Sequence, residues 1–75
     1  MSPSAIAVHV DATHFVVVLS DGRTLRVPFS SFPRLLAASP VQRGKVRISS
    51  SGQGLHWDEL DEDISVKGLL RVQRD

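Results

Sequence analysis

Cysteine is absent from these 75 residues, so no disulfide can hold the fold and no thiolate can ligate a metal. That absence fits a reducing, cytoplasmic compartment. The start, Met1-Ser2-Pro3-Ser4, lacks a basic region followed by an apolar run, so no signal peptide is expected. Long apolar runs are missing as well: Phe15 to Leu19 is the longest, far below the ~20 residues of a membrane span. A soluble protein is expected. Catalytic signatures are also missing. No Gly-rich phosphate loop follows a strand, and Ser49, Ser50 and Ser51 lie in a turn without an oriented base. Paired carboxylates occur only in one acidic run that reads as solvated. So short a chain, with aromatic-poor strands, has little volume for a pocket of ~300 Å³. An enzyme is not expected, nor a cofactor.

What is present supports one domain with one core. A chain of this length buries only about 60% of the surface exposed when unfolded, so stability is marginal. Net charge is +1, but its distribution is uneven. Six basic residues (Arg23, Arg26, Arg34, Arg43, Lys45, Arg47) and no acid lie between positions 23 and 57. Asp58, Glu59, Asp61, Glu62 and Asp63 then place five of the eight acids within six positions.

Residues 5–11 alternate, with Ile6, Val8 and Val10 on one face and Ala5, Ala7 and His9 on the other, which predicts a strand. After a turn at Asp11-Ala12-Thr13, His14 to Leu19 predicts a second strand. Val16, Val17 and Val18 make it apolar on both faces, so it is expected in the middle of the sheet with both sides covered. Ser20-Asp21-Gly22-Arg23 predicts a tight primed hairpin with Gly22 at positive φ. The next strand, Arg23 to Phe29, directs Leu25, Val27 and Phe29 inward, and Pro28 marks its end or an edge. A short serine-capped helix follows, with Pro33 in its first turn and Phe32, Leu35 and Leu36 as one buried stripe. Ser39-Pro40 ends it, and residues 41–44 read as a connector. Lys45 to Ser49 predicts a strand with Val46 and Ile48 inward and Lys45 and Arg47 outward. Ser49 to Gly54 reads as a flexible turn and Leu55-His56-Trp57 as a short strand. Ser65, Val66, Leu69 and Leu70 suit a final helix of one or two turns. The expected fold is α+β in the order β-β-β-α-β-β-α, a mostly antiparallel sheet of about five strands with helices packed on one side. The core covers about 5–70, with flexible tails at 1–4 and 71–75.

Three groups of side chains could carry function. His9 and His14 sit on adjacent strands, but without cysteine or a helical His-x-x-x-His pair no metal site is expected. The acidic run 58–63 lacks the central glycine of a calcium loop and is interrupted by Leu60, so Leu60 and Ile64 read as core anchors with the carboxylates in water or beside the last helix. Arg26, Lys45 and Arg47 point outward and could form a phosphate footprint, the alternative reading as a nucleic-acid-binding domain. No outward aromatics accompany them as stacking platforms, and Trp57 reads as core.

Ser20-Asp21-Gly22, Pro33 with Leu35 and Leu36, Ala38-Ser39-Pro40 with Gln42-Arg43, Gly54-Leu55-His56-Trp57, and Leu60-Asp61-Glu62-Asp63-Ile64-Ser65-Val66 with Leu69-Leu70 together resemble the bacterial family catalogued as domain of unknown function 2442. The His-Trp pair with the Leu-Asp-Glu-Asp-Ile-Ser-Val block is the specific part, and the likeness runs from about Ala5 to Leu70. Asp58 stands where a proline is common and Val41 where an acidic residue is. The resemblance implies a small α+β unit without known catalytic residues. Some members precede a helix-turn-helix region, and many neighbour another small gene in a pattern similar to toxin–antitoxin pairs. No helix-turn-helix follows up to Asp75, so a stand-alone protein-binding module or a piece that acts in a complex is expected. Within the acidic block the structural expectation has Asp63 and Ser65 capping the last helix while Trp57 and Ile64 fill the core. The functional one has Asp61 and Glu62 presenting negative charge to a basic partner such as a toxin. The expected partner is another protein, for instance the product of a neighbouring gene. A homo-oligomer is compatible, nucleic acid ranks lower, and no membrane is involved.

Overall fold

The computed structural model describes residues 3–72; of the expected tails, 1–2 and 73–75 lie outside the described residues. The class is α+β, as expected. Two three-stranded antiparallel sheets, ordered β1-β2-β3 and β4-β5-β6, replace the single sheet of about five strands. The first comprises β1 (Ala5–Val10), β2 (His14–Leu19) and β3 (Thr24–Pro28), and the second β4 (Arg47–Ile48), β5 (Gly54–Trp57) and β6 (Glu62–Ser65). Between them lie the short helices α1 (Pro33–Leu36) and α2 (Pro40–Gly44), and α3 (Val66–Val72) closes the described chain.

β1 departs from strict alternation. Ala5 faces Leu19 and Ala7 faces Val18, so the register shifts by one residue between them. A bulge of this kind turns the extra residue out of the pleat. Ile6 is therefore 63% exposed instead of inward, and Ala5 takes its place in the core. β2 is central, as expected, but only one of its faces is sealed: Phe15, Val17 and Leu19 are wholly buried while Val16 and Val18 are half-exposed. The hairpin after β2 is not of the primed type. Gly22 N donates to Leu19 O and Leu19 N to Arg23 O, and of these turn residues only Gly22 has positive φ, at 92°. That pattern is a three-residue loop with glycine at its left-handed position.

No serine caps α1, because Ser30 and Ser31 belong to a 3-10 turn (Phe29–Ser31) and Phe32 occupies the cap. Leu35 is buried, but Leu36 is 55% exposed: a four-residue helix is too short to turn both leucines inward. The expected connector at 41–44 is α2. Ser39 Oγ accepts from Gln42 N while Gln42 Oε1 accepts from Ser39 N, a capping box with Pro40 in the first turn.

The inner faces of both sheets, with Leu35, Val66 and Leu69 from the helices, form one core. Trp57 is 1% exposed, its ring edge-on to Phe15 at 5.3 Å between centroids, and its Nε1 donates to Arg43 O at 2.9 Å. The sheets are joined through the segment read as a flexible turn. Ala5 N donates to Gly52 O, and Gln53 Nε2 to Ser4 Oγ, so Ser4 is tied in rather than part of a loose tail. Gly52 is buried at φ 73°, and a Cβ there would lie 2.7 Å from the Cβ of Ser4.

Candidate binding edge

The acidic segment is not a solvated lead-in to a helix. Asp58–Leu60 makes one 3-10 turn, and Asp61 then adopts a left-handed conformation (φ 53°, ψ 39°) that reverses the chain into β6. Aspartate tolerates that region better than most residues. β6 pairs with β5 through Gly54–Ser65, Leu55–Ile64, His56–Asp63 and Trp57–Glu62. Ile64 accordingly enters the core, whereas Asp63 lies on the outer face, where His56 Nδ1–H donates to its Oδ1. Asp63 therefore caps no helix, contrary to expectation. Ser65 does: its Oγ accepts from Gly68 N at 2.9 Å. Leu60 packs half-buried against the core.

The two expected partner-binding acids differ sharply. Asp61 is exposed, and its backbone oxygen accepts from Arg34 Nη1. The Glu62 side chain is only 18% exposed and lies 3.9 Å from the same guanidinium. Arg34, not singled out from the sequence, thus fastens α1 to the entrance of β6.

The three expected phosphate-binding cations are dispersed, and each faces a carboxylate; β4 is shorter than the expected strand from Lys45 to Ser49, and Lys45 ends α2 instead. Arg26 on β3 is 3.4 Å from Asp11. Lys45 is 2.6 Å from Glu59, and Arg47 grips Asp58 through Nε at 2.7 Å and Nη2 at 3.1 Å. The Arg47 bond holds the Asp58 carboxyl below its usual range, and Lys45 does the same for Glu59. Asp58 in turn raises Arg47. Asp11 is lowered by the N–H groups of Thr13 and His14, and Asp21 by that of Arg23. Among the described residues, no three or more His, Cys, Asp or Glu side chains gather as metal ligands. His14 Nδ1 instead shares a hydrogen bond with Thr13 Oγ1 at 2.7 Å.

An open edge emerges at β6. Val66 N donates to Gln53 O, while on the other side of β5 Ser49 N donates to Gly54 O. Backbone direction alternates along an antiparallel ladder, so Glu62 and Ile64 bond toward β5 and the backbones of Asp63 and Ser65 point away from the sheet. Along this edge runs a groove of about 260 Å³ lined by Phe32, Asp63, Ile64, Ser65, Gly68 and Leu69. Its side-chain walls are mostly apolar. Sequence reading missed it, because β6 itself went unrecognised.

Comparison with curated proteins gives no match. The chain is similar to a crystal structure of a protein of unknown function from Rhodospirillum rubrum ATCC 11170, with 34% identity and a TM-score of 0.88, covering 96% of this chain and 89% of that one. It is also similar to the solution NMR structure of an uncharacterized protein from Chromobacterium violaceum, with 28% identity and a TM-score of 0.79, covering 96% of this chain and 68% of that one. The family model described as protein of unknown function (DUF2442) matches residues 5–74, and the chain belongs to that family.

Proposed function

We propose that this domain is a small non-catalytic protein-binding module, an antitoxin-like or regulatory accessory protein that works by occupying a partner's surface. The observation that carries this reading is the β6 edge, where the outward N–H and C=O of Asp63 and the N–H of Ser65 lie beside an apolar groove. Main-chain groups at a sheet edge accept a partner strand, and an adjoining pocket selects its side chains. The nucleic-acid alternative draws less support. Arg26 on β3, Lys45 at the end of α2 and Arg47 on β4 are separated and already ion-paired, whereas phosphate binding relies on cations free to replace counterions. Affinity capture with the full chain from host extract, followed by mixing with the purified candidate and size-exclusion chromatography, tests the proposal. A protein that forms a complex of fixed stoichiometry supports it. Recovery of nucleic acid alone, released by salt, overturns it.

A further inference from the structure

We infer that the occupant of the β6 edge is an extended, cationic segment of a partner protein, added as a fourth strand with one apolar side chain seated between Phe32, Ile64 and Leu69. The inference rests on the protein-binding reading and specifies its ligand. Three features converge on it. First, β6 is the edge best fitted for strand addition among the described strands. β4 has two residues, β3 ends in Pro28, which has no N–H to offer, and β1 is kinked by its bulge at Ile6 and tied through Ala5 N to Gly52 O. Second, the groove lies beside the outward backbone of Asp63 and Ser65, so a paired strand would direct alternate side chains into it. Gly68 adds no side chain to the groove, and a Cβ there would lie 2.7 Å from the Ser65 Oγ that caps α3. Third, residues 61–65 carry three carboxylates and no cation. Asp61 is exposed, the Asp63 side chain is 71% exposed although it accepts one bond from His56, and Arg34 lies beside Glu62. Two copies pairing β6 with β6 would set like charges side by side, which is unfavourable. A strand bearing lysine or arginine beside its apolar residue meets the opposite charge instead.

The test uses an end-capped synthetic peptide alternating lysine and valine, its glutamate–valine counterpart, and the full chain followed by ¹⁵N NMR. Saturable shifts at Asp63, Ser65, Phe32 and Leu69 are expected with the lysine peptide, and at least about tenfold weaker binding with the glutamate peptide. Chemical synthesis of the chain with an N-methyl group on Asp63 removes one outward donor and blocks the edge. It should cost at least about tenfold in affinity, with folding checked by Trp57 emission. If that variant does not fold, Asp61→Asn combined with Asp63→Asn should still weaken the lysine peptide severalfold. Unchanged affinity in the N-methyl chain or the double variant, or no shift at the edge with either peptide, overturns the inference. A partner that still binds the edge-blocked chain in the capture experiment would leave the module reading standing and remove only this one.

Discussion

Replacing Arg43 should destabilise the domain far more than replacing any other arginine on its surface. Its Nε donates to Leu35 O at 2.8 Å, Nη2 to Leu36 O at 2.9 Å and Nη1 to Ala12 O at 3.3 Å. The guanidinium carbon also sits 4.7 Å from the centroid of the buried Phe29 ring. One side chain thus ties the end of α1 and the β1–β2 turn to the core, while its own carbonyl receives Trp57. Hydrogen bonds from a charged donor contribute about 1.5–3 kcal/mol each, and the cation–π contact about 0.5–2 kcal/mol. The exposed carbonyls of Leu36 and Ala12 regain water once the guanidinium is gone, so the net loss is smaller than the sum. Arg43→Ala should cost about 2–4 kcal/mol, out of about 4–11 kcal/mol available to a domain this size. Arg43→Lys should recover less than half, because an ammonium lacks the planar fork that reaches two carbonyls at once. Urea unfolding followed by Trp57 fluorescence measures both, and an unchanged slope shows that only stability moved. Arg23→Ala is the control, since the Arg23 side chain pairs with Asp21 within its own exposed turn, where solvent screens the contact. If Arg43→Ala falls within ~0.5 kcal/mol of wild type, as surface substitutions do, the clamp is decorative and the reasoning fails.

Three further outcomes follow from the same geometry. Gly22 and Gly52 both have positive φ, but only Gly52 is crowded; Gly22→Ala should cost about 1–2 kcal/mol, and Gly52→Ala about 1–3 kcal/mol more in urea unfolding. Ser65→Ala should lose about 1 kcal/mol by removing the α3 cap, and Ser65→Gly should recover most of it in the same assay. Asp11, Asp21, Asp58 and Glu59 have carboxyl groups held below their usual range in the folded chain, so their contribution is complete above the unfolded carboxylate range, near pH 4, and is lost as pH falls through the lowered folded values. The urea midpoint should be level near neutrality and drop in acid, and a midpoint that rises on acidification would contradict those pairings.

The first sheet was legible because its residues obey a period of two and its turns carry Asp-Gly and Pro. Ile6 misled because a bulge depends on the facing strand, Leu19 and Val18, which periodicity within one strand does not register. α2 carries a readable signal, Ser39-Pro40-Val41-Gln42, because proline after Ser39 both stops one helix and opens the next. β6 was the costliest omission. Glu62, Asp63 and Ser65 are poor strand formers taken alone, and the strand exists because Trp57 and His56 stand opposite and Asp61 turns the chain. The charge of the candidate site was therefore visible while its shape was not. Glu62 reads as a free carboxylate until Arg34, 28 positions earlier in the chain, is seen beside it.

The shortness of the β6 edge sets what a partner must bring. Arg34 already occupies the backbone oxygen of Asp61, and α3 begins at Val66, so the C=O of the capping Ser65 belongs to the first turn of the helix and the outward groups are the N–H and C=O of Asp63 and the N–H of Ser65. Three main-chain bonds at about 0.5–1.5 kcal/mol net give ~1.5–4.5 kcal/mol, which barely meets the lower end of the ~4–15 kcal/mol lost on association. Backbone pairing alone therefore cannot hold a partner, which also protects the edge from indiscriminate strand capture. The surplus has to come from the groove. Seating a valine there removes an apolar side chain from water, a gain of about 1.5–3 kcal/mol. In the lysine–valine peptide, exchanging every valine for serine keeps the charge and the extended backbone but empties the groove. Edge shifts in the NMR spectrum should then disappear at concentrations that saturate the parent peptide. Equal binding by the serine peptide would mean that charge alone drives association, and the groove would have no part in it.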